Sequence, residues 1–199
     1  MVLATIRRMA MKKALSGLLT AFWTVSFFMT SVSFLWAAAA PSPSDYPVCD
    51  SFGVQRFPAK KEAPPFTLKR LDGGSTTLSA CRGKPVVLFF WGSWCESCKE
   101  DIVLFEKLAE GKKDQVSFFT VVVDGEREKR IRQIVEKVKI TLPVLMVLKE
   151  KVIDTYEVRM IPMVVVINQE GFMVGKIIGQ RDWSKPEAWS VIKELCGLN

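Results

Sequence analysis

Phe89-Phe90-Trp91-Gly92-Ser93-Trp94-Cys95-Glu96-Ser97-Cys98-Lys99 decides how this chain is read. The run from Pro85 to Trp91 carries branched and aromatic residues with no polar break, the pattern of a strand buried on both faces. Gly92 ends the run, and from Lys99 the apolar spacing becomes that of a helix. The two cysteines therefore fall where a strand hands over to a helix N-terminus. Unpaired N–H groups and the positive end of the helix dipole favour a thiolate there. Two sulfurs so spaced can open and close a bond without refolding anything, which points to redox chemistry.

Two blander readings compete. A Cys-x-x-Cys can be half of a zinc site, which needs two further thiolate or imidazole ligands. The chain has no histidine, and its other cysteines, Cys49, Cys81 and Cys196, are scattered singly. A purely structural disulfide is the other reading, but so short a loop is a poor staple and leaves the flanking tryptophans without a purpose.

At these residues the chain resembles the thioredoxin superfamily, and more narrowly the extracytoplasmic thiol-disulfide oxidoreductases of the TlpA/ResA type. The resemblance runs from Ala63 to the C-terminus. It includes Ala63-Pro64-Pro65-Phe66, the Cys-x-x-Cys stretch, Ile161-Pro162 and Glu170-Gly171. An acidic residue three positions after the second cysteine is particular to this branch. Here it is Asp101, where the family usually has the longer Glu. The family often has proline between the cysteines and soon after the acid, whereas this chain has Ser97 and Val103, so the helix start is less stiffened.

The resemblance implies an α/β thioredoxin-like fold: a central mixed sheet flanked by helices, with an N-terminal hairpin and a short central insertion near the site. It also implies that Pro162 is cis and that Ile161 and Pro162, beside the sulfurs, bind an extended substrate peptide by strand addition. By the same resemblance Trp94 covers the sulfurs. The competing reading of Pro162 is a turn proline that starts a strand, and Trp91, unlike Trp94, reads as simple core.

The formal charge of +7 invites a nucleic-acid partner, but its distribution argues against one. Arg7, Arg8, Lys12 and Lys13 stand in a region with no acid before Asp45, and the chain beyond residue 40 carries 24 basic against 21 acidic residues. Residues 1–40 read as a targeting segment. Basic residues precede the 27 uncharged residues Ala14 to Ala40, which exceed the ~20 residues that span a bilayer. Yet the small-residue end, Ala37-Ala38-Ala39-Ala40-Pro41, suits signal cleavage. A cleaved signal peptide and an uncleaved membrane anchor both fit, and either places the domain outside the cytoplasm.

In an oxidising compartment the odd cysteine number matters. With Cys95 and Cys98 paired, Cys49 and Cys81 are the expected structural bridge, which leaves Cys196 as a buried thiol.

Residues 41–62 read as a linker and residues 63–199 as one domain. Phe66–Leu71 and Ser75–Leu78 flank Asp72-Gly73-Gly74 as a hairpin. Ile102, Phe105, Leu108 and Ala109 line one face of the helix after the cysteines. Val116–Val123 reads as a second buried strand, followed by a helix over Glu126–Lys139. Pro143–Leu148 reads as a short strand and Lys149–Tyr156 as a short helix, and Val164–Ile167 with Phe172–Ile178 as a closing hairpin. Ser184 and Glu187 make a capping box for a last helix burying Ala188, Trp189, Ile192 and Leu195.

Cys95, nearer the exposed end of the turn, is the expected nucleophile, and Cys98, one turn inside, the resolving cysteine. Asp101 lies one turn beyond Cys98, on the side of the thiols. It is either a solvated charge or a carboxylate that raises the thiol pKa values and moves a proton during exchange. Glu96, Ser97 and Asp101 around the sulfurs lean toward a reductant, with Lys99 opposing weakly.

The leading reading is a thiol-disulfide oxidoreductase on cysteine pairs of other proteins, acting as a protein disulfide reductase without a cofactor. By resemblance, apocytochrome c is a client and a membrane thiol reductant resupplies electrons. A disulfide oxidase or isomerase and a non-catalytic thiol adaptor remain as alternatives. A peroxidase would need a lone activated cysteine in a Thr/Ser-rich loop, and a copper chaperone would need histidine.

Overall fold

The structure, a computed structural model, describes residues 47–198, so residues 1–40, read from the sequence as a targeting segment, lie outside the described residues. Strand β4, Val86–Trp91, is buried at every position. Side chains alternate across a strand, so its residues divide between two cores. Val87, Phe89 and Trp91 join one cluster, to which helices α2 (Glu96–Ala109), α3 (Glu128–Val138) and α5 (Pro186–Cys196) contribute. Val86, Leu88 and Phe90 join the other, with Phe66, Leu68, Leu78 and Tyr156.

Around β4 lies a mixed sheet of eight strands in the order β1-β8-β7-β4-β5-β6-β2-β3. Here β1 is Val54–Glu62, β2 Thr67–Arg70 and β3 Ser75–Thr77. β5 is Ser117–Val122, β6 Val144–Met146, β7 Met163–Ile167 and β8 Phe172–Ile178. β4, β5 and β6 are parallel, joined by crossovers through α2 and α3, whereas β7 runs antiparallel to β4. The central mixed sheet with flanking helices and the β2–β3 hairpin are as the resemblance implies. Among the described residues the remaining α-helices are the short α1 (Pro47–Ser51) and α4 (Val152–Thr155).

Three expectations change. Residues 54–62, within the stretch read as a linker, form the edge strand β1, paired antiparallel with β8 across an irregularity between Arg56 and Lys61. The short strand expected over Pro143–Leu148 does form, as β6, an interior strand between β5 and β2.

Cys49 and Cys81 are not bridged. Cys49 is buried in the helix-side core, and Cys81 packs on the opposite one. Finally, Ser184 does not cap α5. Its hydroxyl and N–H both donate to Asp182, and Lys185, extended ahead of Pro186, is the residue at the N-cap.

Candidate active site

The register of the three parallel strands builds the site. Trp91 pairs with Val122 and Val122 with Met146, so β4, β5 and β6 end level with one another. The turn after β4 closes tightly, with the Cys95 N–H donating to the Gly92 carbonyl at 3.0 Å. α2 begins at Glu96, three residues earlier than the apolar spacing suggests, with Cys95 as its N-cap. Cys95 and Cys98 form a disulfide. The Cys98 N–H points at the Cys95 sulfur, 3.2 Å away, and is one of the helix's otherwise unpaired donors. Cys95 is half-buried, whereas Cys98 is fully enclosed.

The next buried positions on the helix are Asp101, Ile102 and Phe105, one face shared with Cys98. Asp101 is therefore not a solvated charge: it is 1% exposed. Burial raises its carboxyl pKa. The Arg181 N–H, donating at 3.1 Å, opposes this, as do the Trp183 and Gln180 side chains and the Arg181 charge. The Trp183 indole N–H is buried without a well-formed hydrogen bond, so its effect on Asp101 is that of a nearby dipole. Glu100 points elsewhere, accepting from the exposed Gln180 amide at 2.9 Å. Lys99 is paired with Glu96 at 2.6 Å, which holds the Glu96 carboxyl below its usual range and occupies the ammonium.

Across the turn, Phe90 pairs with Met163, which sets the cis Ile161–Pro162 peptide beside the end of β4. A Cβ at Gly92 would lie 3.0 Å from the Trp94 ring and 3.1 Å from Ile161 Cδ1, so these side chains would have to give way to it. Trp94 and Ile161 thus meet over Gly92, and Trp94 is 54% exposed. Ile161 makes no backbone hydrogen bond among the described residues. Trp91 is core.

Three buried residues near the site, Ser93, Asp124 and Trp183, escape a sequence reading. Ser93 donates both its N–H (2.9 Å) and its hydroxyl (2.6 Å) to the Asp124 carboxylate at the end of β5. No motif marks this pair, since 31 positions separate the two residues and only the strand register joins them. Trp183, packed edge-on against Phe52 and Phe105, is the third.

Residues 59–176 match the AhpC/TSA family. The chain belongs to this thioredoxin-like family. A relative named thiol-disulfide oxidoreductase ResA, from Bacillus cereus, is 30% identical over 129 residues, covering 65% of this chain and 75% of its own length. The ResA of Bacillus subtilis is 30% identical over 127 residues, 64% of this chain and 71% of that protein. The exposed lipoprotein thioredoxin of Streptococcus pneumoniae superposes with a TM-score of 0.59 at 29% identity, covering 66% of this chain and 99% of that one. A putative thiol:disulfide interchange protein DsbE from Chlorobium tepidum shares the fold, with a TM-score of 0.62 at 23% identity over 68% of this chain and 96% of that one. With its paired Cys95 and Cys98, this family member is a thiol-disulfide oxidoreductase.

Proposed function

We propose that the chain reduces disulfides of other proteins outside the cytoplasm, where residues 1–40 deliver it as a signal peptide or hold it as an anchor. Apocytochrome c before haem attachment is the client class that the family resemblance suggests. The Cys95 thiolate attacks one client sulfur, and the departing client thiolate takes up a proton. Cys98 then loses its proton, with Asp101 as acceptor, and attacks the Cys95 sulfur of the mixed disulfide. The second client thiolate leaves and is protonated. Two electrons and two protons have passed to the client, and the chain holds its disulfide. A membrane-bound dithiol partner reduces it again, as a compartment without a glutathione buffer requires. Trp94, Ile161 and Pro162 hold the client, and the unpaired Ile161 backbone suits the strand addition.

The observation that carries this reading is the enclosed Asp101 carboxylate on the face of α2 that it shares with Cys98. A negative charge there disfavours thiolates and so favours the disulfide form, the mark of a reductant. The Cys98 N–H on the Cys95 sulfur favours the opposite reading, an oxidase or isomerase, because it stabilises a thiolate. The reduction potential of the pair separates them. A value near that of thioredoxin, about −270 mV, is expected, and one near about −120 mV, that of a strong oxidant, would overturn the reductant role.

A further inference from the structure

We propose that Asp124 is a positioning residue for the Cys95–Cys98 pair, acting through Ser93. Ser93 is fully enclosed, two residues before Cys95, and lies inside the turn that the Cys95 N–H closes onto the Gly92 carbonyl. Its two donors are both taken by one carboxylate, the Asp124 oxygens lying 2.9 Å from its N and 2.6 Å from its Oγ. Asp124 is itself 4% exposed, and the mostly exposed Arg127 stands 3.8 Å from it.

The residues around Asp124 cannot drift. The Val123 N–H donates to the Trp91 carbonyl at 2.9 Å, and the Gly125 N–H to the Val147 carbonyl at 3.0 Å. A side chain at Gly125 would put a Cβ 2.5 Å from that same Val147 oxygen, so the contact is as close as the backbone permits. The corner of the turn that delivers Cys95 is thus fixed to the neighbouring strand rather than to its own helix.

The consequence falls on the redox equilibrium. Oxidation joins two sulfurs, and it is favoured when the dithiol form already holds them together. Freeing the corner of the turn gives the dithiol conformations that the disulfide must give up. Ordering one residue's backbone is worth about an order of magnitude in such an equilibrium. Releasing Ser93 therefore shifts the pair about tenfold toward the dithiol, roughly +30 mV for a two-electron couple. The inference rests on the pair cycling, as the proposed function requires.

The test is an equilibrium titration of the purified full chain in dithiol redox buffers, with the Cys95–Cys98 state counted by mass after an acid quench. Asp124→Ala should move the equilibrium about tenfold toward the dithiol, and Ser93→Ala about threefold in the same direction. Asp124→Asn should stay within about twofold of wild type, because the amide can accept from the Ser93 N–H and donate to its oxygen. The idea is overturned if Asp124→Ala and Ser93→Ala both keep the wild-type equilibrium, or if Asp124→Asn moves as far as Asp124→Ala, which would assign the effect to charge. Should Asp124→Ala not fold, Ser93→Ala and Asp124→Asn decide by the same limits. A wild-type pair that does not cycle would sink the proposed function and this inference with it, whereas a cycling wild type with unmoved variants sinks this inference alone.

Discussion

The sharpest consequence of the site's geometry is a ranking of the five thiols by reactivity. The perturbation is reduction of the full chain, followed by removal of the reductant and exposure to a small chromogenic disulfide at pH 7. Burial pushes the Cys49 thiol up to about 11 and the Cys196 thiol up to about 12. At pH 7 their thiolate fractions are then about 10⁻⁴ and 10⁻⁵, against about 3% for an ordinary thiol near 8.5. A more basic thiolate is also a better nucleophile, which recovers roughly 13-fold for Cys49 and roughly 40-fold for Cys196. Net slowing of about 25-fold and about 80-fold remains, before the cost of opening the core around two buried side chains is added.

Cys81 is half-buried and its pKa is also raised by burial, so it should be slow but reachable. Cys95 combines access with a helix N-terminus, whereas Cys98 is enclosed. Oxidised protein should therefore react slowly, chiefly at Cys81, and reduction should add a fast phase that peptide mapping assigns to Cys95. Cys98→Ser should keep one fast site and trap a client as a stable mixed disulfide. Fast reaction of Cys49 or Cys196 in the folded oxidised protein, or of Cys98 ahead of Cys95 in the reduced one, would refute the reasoning.

Two further outcomes follow from the helix that bears the cysteines. Asp101 has a folded-state pKa raised by burial, so its ionisation costs stability. Below the unfolded value, near pH 3, the carboxyl is neutral in both states and the cost is absent; it grows as pH rises and is complete above the folded value. Asp101→Asn should be more stable than wild type at pH 7 but not at pH 3, as read from denaturant midpoints, and it should lower the thiol pKa values. An equal advantage at both pH values would contradict the assignment. Phe105, enclosed against Phe89, Phe118 and Trp183 at centroid distances of 5.1, 5.7 and 5.3 Å, locks α2 onto the sheet. Phe105→Ala should cost about 3–5 kcal/mol in chemical unfolding, and a loss under about 2 kcal/mol would mean that the helix is held elsewhere.

The readable parts of the chain were those whose burial repeats at a local period. Val86–Trp91 is apolar throughout because both its faces are covered, and Ile102, Phe105 and Leu108 mark one helical face. β1 could not be seen this way. As an edge strand with an irregular register it carries Arg56, Pro58, Lys60 and Lys61, the composition of a linker and also of a protected sheet edge. The Ser184–Glu187 capping pattern misled because Pro186 holds the preceding Lys185 extended and leaves Ser184 outside the helix. The Cys49–Cys81 pairing failed for want of a third dimension, since the two thiols belong to opposite faces of one sheet. Ser93 and Asp124 are joined only by the parallel register. The cysteine pair itself was legible because strand, turn and helix start are contiguous.

The direction of electron flow can be argued from magnitudes. Moving a thioredoxin-like pair to the potential of a strong oxidant takes about 150 mV, or about 7 kcal/mol of preferential stabilisation of the reduced form. The helix N-terminus at Cys95 supplies about 0.3–2 kcal/mol of that. No histidine exists to add to it, and the nearby ammonium of Lys99 is spent on Glu96. A negative charge on the buried Asp101 would act in the opposite sense. What stabilises a thiolate here falls several kcal/mol short of an oxidant, which supports the proposed reductant role.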